Sequence, residues 1–182
     1  ASGACGDLQQ GLSGKSGGTA AYKTQGRARS ADGLLNRGSF EKLLHLYEDG
    51  EAPFALIMVD VDKFKSVNDN FGHAVGDMVL KTVADMLTTA FRSIDYVCRI
   101  GGDEFAVIMV EMTSDLSYTI EDKISSINQT LKGRAGGDFP PVSVSAGVAF
   151  SDRENPGDSI FNDADKALYK TKDNGRSGCS FY

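Results

Sequence analysis

Cysteine is scarce in this sequence. Cys5, Cys98 and Cys179 are odd in number and unclustered, and the two histidines, His45 and His73, stand at no metal-ligand spacing from them. Disulfide scaffolds use even sets of cysteines, and zinc sites use ligand pairs a few residues apart, so neither is indicated and a reducing cytoplasm fits. Long apolar runs are also missing. No stretch approaches the roughly 20 residues of a membrane-spanning helix, and the first residues lack a signal peptide's apolar core, so no direct membrane contact is expected from this chain. Positive charge is not in excess: 19 Lys and Arg against 25 Asp and Glu give a formal net charge of -6. That argues against a nucleic-acid polymer as partner, whose backbone requires a basic face, whereas a local basic cluster suffices for a nucleoside triphosphate.

Composition shifts once along the chain. Residues 1–28 are rich in Gly, Ser, Ala, Lys and Gln, the makeup of a flexible leader or linker. Gly14-Lys15-Ser16 within it is not a phosphate-binding loop, because the earlier glycine that such a loop needs is Gln9 and no strand precedes it. Residues 29–182 read as one domain, since 182 residues at 41% hydrophobic can bury one good core. Val79, Leu80, Val83, Met86, Leu87, Ala90 and Phe91 recur at helical spacing and predict an amphipathic helix over 77–92. Further helices are expected at 38–49, 63–69, 115–132 and 158–173, and strands near 54–60, 96–100, 104–110, 142–150 and 179–182. Gly133 to Pro141 reads as a turn-rich loop. This order gives an α+β fold with a hairpin in its middle.

Two segments carry chemistry. In Arg99-Ile100-Gly101-Gly102-Asp103-Glu104-Phe105, two glycines and two carboxylates lie between β-rich runs. Strands joined by Gly-Gly read as a tight hairpin in which both glycines take positive φ, with the acids at the tip; ordinary turn chemistry is the plainer alternative. The other segment, Phe54 to Val61, is an apolar run ending in Asp60 and Asp62, as in a strand buried on both faces. Carboxylates there are costly unless paired, hydrogen-bonded or bound to a hard cation. Mg²⁺ (or Mn²⁺) is the candidate, because it takes one or two carboxylates and completes its shell with water and phosphates, as Asp60 and Asp103 could allow if their strands are adjacent. The i, i+2 spacing sends Asp60 and Asp62 to the same face if the strand persists; alternatively Asp62 caps the next helix, so Asp60 ranks first as ligand.

Gly101 to Phe105 is, letter for letter, the signature of the GGDEF family of diguanylate cyclases. Asp60 to Asp69, Gly72 to Asp77, Val144 to Ala149, and Ala164 to Tyr169 with Lys172 and Gly175-Arg176 resemble that family's other blocks in order and spacing, over residues 33–182. The resemblance implies a palm-like fold of the nucleotide cyclase and polymerase type with a ferredoxin-like core: a central, mainly antiparallel sheet flanked by helices, carrying the GGDEF β-hairpin. It implies a nucleotidyltransferase that condenses two GTP into cyclic di-GMP and two pyrophosphates, Mg-dependent, across a homodimer. On the same resemblance Asp60 and Asp103 bind metal with the Val61 carbonyl, and Glu104 lies near the attacking 3′-hydroxyl as general base or metal partner. Asn68 and Asp77 would read guanine, Asp77 favouring GTP, with helix capping as the other role open to Asp77. Phosphates would meet Lys65, Lys172, Arg176 and the backbone amides of Lys63 and Phe64 at a helix start. For Lys172 and Arg176 a solvated helix end is the alternative.

Arg92-Ser93-Ile94-Asp95 stands where many of these enzymes carry an Arg-x-x-Asp inhibitory site for product, and an arginine fork suits guanine edges and phosphate oxygens; a surface ion pair is the alternative. Gly33 to Arg37 resembles the family's opening motif, but Arg29, Ser30, Ala31 and Asp32 replace the usual Asp, any residue, Leu and Thr before it. The family also implies an upstream sensory or regulatory domain that pairs two copies, and a cytoplasmic setting, alone or within a membrane-bound protein. The competing function is a catalytically weak GGDEF domain that senses GTP or cyclic di-GMP, which loss of a signature acid would favour; none is lost. Asn68, Asp77 and the Arg92–Asp95 pair make another palm-like cyclase or a polymerase fragment a poorer match.

Overall fold

The chain from Arg37 onward is built of short helices and strands, and the computed structural model describes residues 28–182. The expected leader over 1–28 falls outside that range except for Ala28. In chain order the elements are α1 (Arg37–Glu48), β1 (Phe54–Val61), α2 (Phe64–Phe71), α3 (His73–Ala90), β2 (Tyr96–Arg99), β3 (Glu104–Val110), a 3₁₀ turn (Ser114–Leu116), α4 (Ser117–Arg134), β4 (Val144–Phe150), α5 (Ile160–Asp173) and β5 (Gly178–Phe181).

One sheet organises them, in the order β2-β3-β1-β4-β5. All pairings are antiparallel except β4 with β5. β1 is the central strand and is buried at every position, as its unbroken apolar run requires. Its side chains divide by the period of two. Ala55, Ile57, Val59 and Val61 enter a core with the apolar stripes of α3 and α4, whereas Phe54, Leu56 and Met58 enter a second core with α1 and α5. Gly147 on β4 lets α5 lie close, because a Cβ there would sit 2.0 Å from the Leu168 backbone nitrogen. The α+β architecture with a mainly antiparallel sheet is therefore the one the sequence implies.

Three local expectations are corrected. The helix expected over 77–92 begins at His73, since Gly72, at φ 87°, turns the chain directly from α2 into α3 and forms its N-cap. Asp77 is thus inside α3 and caps nothing. Asp62 caps no helix either: the N-cap of α2 is Lys63, in left-handed conformation at φ 53° with no side-chain cap bond. Finally, the hairpin turn does not use positive φ at Gly101 or Gly102. Its loop closes through the Ile100 and Gly101 amides, which donate to the Glu104 carbonyl at 3.0 and 3.2 Å. Gly101 is needed for space instead, because a Cβ there would lie 2.5 Å from Glu104 Oε2.

The segment before α1 is docked rather than loose. Leu34 and Leu35 are buried, Leu35 bridges Arg29 and Cys98, and the Arg99 amide donates to the Leu35 carbonyl at 2.8 Å. Asn36 caps α1 by accepting from the Ser39 amide at 3.0 Å. Arg153 Nε donates to buried Asp163 at 2.7 Å and its Nη1 to the Phe150 carbonyl at 3.0 Å, which orders the polar connection between β4 and α5.

Candidate active site

The site grows from the C-terminal end of β1. Asp60 stands opposite Glu104 on β3 and Ser145 on β4, so the central strand delivers a carboxylate between two neighbours. The Val61 amide donates to the Asp103 carbonyl at 3.1 Å, which ties the hairpin loop to the same strand end. Asp60 is 7% exposed; one oxygen pairs with Lys172 Nζ on α5, and Oδ1 is buried without a hydrogen-bond partner. Burial pushes its pKa up, the Lys172 ammonium opposes that, and the Asp103 charge pushes it further, leaving it at about 6. A carboxylate in this condition gains from a cation.

Among the described residues no three His, Cys, Asp or Glu side chains come together as a metal cluster. Two carboxylates are what Mg²⁺ or Mn²⁺ uses when water and substrate phosphate fill the remaining positions, so the residues fit that ion class. Glu104 is exposed and its carboxylate folds back over Gly101. Asp62 differs sharply from Asp60. It accepts from Ser143 Oγ at 2.6 Å, Ser145 Oγ at 2.7 Å and the Ser177 amide at 3.2 Å, so it is a fully occupied strut and not a second open ligand. The two acids therefore do not share a role despite their spacing, because the strand ends at Val61.

Around this centre lie the groups expected to meet a nucleotide. Lys63 and Phe64 open α2, whose first-turn amides lack a side-chain cap, and Lys65 is exposed on that turn. Arg176 follows Gly175 in a left-handed turn after α5, closed by its amide on the Thr171 carbonyl at 3.0 Å. Lys63 and Arg176 border one cavity of about 520 Å³, with Ser66, Asn70 and Ser177. Asn68 is half-buried against α3, where a Cβ on Gly76 would lie 1.9 Å from its Oδ1, and Asp77 is the next residue, exposed to solvent. Gly76 thus brings the two side chains expected to read a base to the junction of α2 and α3.

Arg92 and Asp95 are not in this site. They sit at the other end of β3, where Asp95 accepts from the Val110 amide at 3.1 Å and takes a two-pronged contact from Arg92 at 3.0 and 2.8 Å. The seven residues of β3 separate the two places by about 20 Å. The Asp95 side chain is fully buried and the Arg92 side chain 39% exposed, which is more than a loose surface pair.

Sequence reasoning missed the braces. Arg99 donates through Nη2 to the Gly102 carbonyl at 2.7 Å and pairs with Asp32 at 3.3 Å, holding the hairpin loop to the segment before α1. Burial would raise the Asp32 pKa, but Ser30, the Leu34 amide and Arg99 together lower it. Asn128 on α4 clamps Val144 by accepting from its amide at 2.8 Å and donating to its carbonyl at 3.0 Å. A basic residue two positions before Gly101 was the one available signal for Arg99.

The family model described as "Diguanylate cyclase, GGDEF domain" matches residues 30–178. The chain is 37% identical over 168 residues to the uncharacterized protein YhcK of Bacillus subtilis, covering 88% of this chain and 46% of that protein. It is 35% identical to the diguanylate cyclase DosC of Escherichia coli over 79% of this chain and 32% of DosC. The chain thus spans less than half the length of these relatives. Among solved structures, the coiled coil and GGDEF domain of DgcB from Caulobacter crescentus, in complex with c-di-GMP, superposes with a TM-score of 0.72 at 27% identity, covering 83% of each chain. The diguanylate cyclase SiaD of Pseudomonas aeruginosa, in complex with its activator SiaC, gives 0.73 at 31% identity, covering 85% of this chain and 61% of that one. With the signature hairpin tied to the acidic end of its central strand and these likenesses across most of its length, the chain belongs to the GGDEF family of diguanylate cyclases.

Proposed function

We propose that residues 29–182 form a diguanylate cyclase domain that condenses two GTP molecules into cyclic di-GMP and two pyrophosphates. The observation that carries this reading is Asp60, a buried carboxylate with one oxygen lacking a partner, beside Asp103 of the signature hairpin. Asp60, Asp103 and the Val61 carbonyl would hold Mg²⁺ or Mn²⁺. When bound, that ion neutralises phosphate charge and polarises the phosphorus under attack. The protein groups do the rest. Lys172 leaves Asp60 for a phosphate oxygen, joined by Lys65, Arg176 and the amides of Lys63 and Phe64, while Asn68 and Asp77 hold the guanine edge. Glu104 lies at the mouth of the site to orient, or take the proton from, the 3′-hydroxyl of a GTP held by a second copy.

That oxygen attacks the α-phosphorus, and the bond to pyrophosphate breaks; the reciprocal attack closes the ring. Each chain supplies half of this arrangement, so catalysis belongs to a homodimer. Positioning and charge neutralisation carry such transfers. The greater length of the relatives leaves room for a further domain; in this reading such a domain pairs two copies and sets the output, in the cytoplasm where GTP is made. Product returning to Arg92 and Asp95 would restrain the enzyme.

Incubation with GTP and Mg²⁺, alone and fused to a dimerising partner, followed by chromatography, tests this. Cyclic di-GMP is expected, and more of it from the fusion. GTP binding with no product under enforced dimerisation would move the reading to a sensing module.

A further inference from the structure

The Arg92 turn and the segment before α1 border a cavity that the reaction does not use. It measures about 320 Å³, the small end of the range for ligand sites, and suits one base and its phosphate more than a whole dinucleotide. Leu34, Leu35, Tyr96 and Val97 line it with apolar surface, and Arg92 and Arg29 line it as well. Arg92 spends Nε and Nη2 on Asp95 and the Val110 carbonyl, which leaves Nη1 for a ligand. Arg29 gives Nη1 to the Gly33 carbonyl at 2.5 Å, which leaves Nε and Nη2.

Charge at this place is unbalanced. Asp95, the carboxylate bordering the cavity, is fully buried and already matched by Arg92, and Asp32 is matched by Arg99. Arg29 thus brings a positive charge that no carboxylate here answers. Its position is set, because its backbone bridges Leu35, which is itself joined to β2 through the Val97 carbonyl and the Arg99 amide.

We propose that Arg29 is a second arginine of the product site, gripping a phosphodiester of cyclic di-GMP beside Arg92, so that bound product fastens residues 28–36 to the domain. The inference rests on the reading of Arg92 and Asp95 as that site. An arginine fork matches a phosphodiester's two free oxygens, and a charge-assisted hydrogen bond of this kind corresponds to about tenfold in affinity.

Calorimetric titration of cyclic di-GMP into the wild-type chain and the Arg29→Ala, Arg29→Lys and Arg92→Ala variants, with amide exchange of residues 28–36 as a second readout, tests it. Arg29→Ala weakens binding about tenfold and lessens its salt dependence, and Arg29→Lys restores only part, because an ammonium lacks the fork. Product slows exchange over 28–36 in the wild type and not in Arg29→Ala. Should Arg29→Ala not fold, Arg29→Gln removes the charge while keeping a donor for Gly33. Wild-type affinity in Arg29→Ala, with binding lost in Arg92→Ala, overturns the role of Arg29 and leaves the product site standing. Wild-type affinity in Arg92→Ala overturns the product site itself.

Discussion

Asp60 and Asp163 are the two buried acids in the described residues that each keep one oxygen without a hydrogen-bond partner, and they answer burial in opposite ways. Burial would raise both pKa values. At Asp163 the Gly157 amide and the Arg153 guanidinium outweigh it and the pKa falls, whereas at Asp60 the single Lys172 contact is offset by Asp103 and the pKa rises to about 6. An unpartnered oxygen alone therefore does not mark a cation site. A second carboxylate aimed at the same place does, because two negative charges held together in a poorly solvated position call for a positive one. Asp163 is a structural clamp, and Asp60 is a carboxylate waiting for charge.

The contrast breaks first at Asp103. Asp103→Ala is expected to lower cyclic di-GMP formation by about a thousandfold, as loss of several kcal/mol of charge stabilisation implies, while urea unfolding of the metal-free protein stays near wild type. Asp163→Ala should do the reverse: a loss of about 3 kcal/mol in urea unfolding, since it leaves the Arg153 guanidinium, 11% exposed, without its partner. Asp62→Ala falls between, at about 2 kcal/mol, because it strips three donors of their acceptor.

The last effect separates the two acids by where they titrate: in unfolding curves from pH 4 to 7 with chelator present, Asp60 changes its contribution and Asp163 does not. Asp163 has a folded pKa below 3.8, so its contribution is present above that value and is lost as pH falls through the folded pKa. Asp60 has a folded pKa of about 6 against 3.8, so its contribution is full below 3.8 and is lost as pH rises through 6. The stability of Asp60→Asn relative to wild type therefore grows between pH 4 and 7, by about 2 kcal/mol. A flat difference would remove the distinction.

Much of this was legible in the chain because it is local. The run Phe54 to Val59 ending in Asp60 reads as a buried strand with a carboxylate at its end, and the helical stripe from Val79 to Leu87 reads as core; both are so. What was not legible depends on partners far along the sequence. Asp62 looked like a second ligand or a cap because its acceptor duties go to Ser143 and Ser145, 81 and 83 residues away. Arg153 and Asp163 gave no signal in the sequence because only the packing of α5 on β4 buries them together. Asp77 looked like a helix start because Gly72 and the weakly apolar turn after it gave no stripe to extend. Gly101 was read for its φ when its missing side chain is what matters, a distinction set by where Glu104 folds.

Mn²⁺ binding in the presence of a non-reactive GTP analogue, followed by electron paramagnetic resonance, tests the central claim that Asp60 and Asp103 form one cation site. The account predicts one tight Mn²⁺ per chain in the wild type and in Asp163→Asn, and a loss of affinity of at least about a hundredfold in Asp60→Asn and Asp103→Ala alike. Wild-type Mn²⁺ affinity in either of the last two would contradict it.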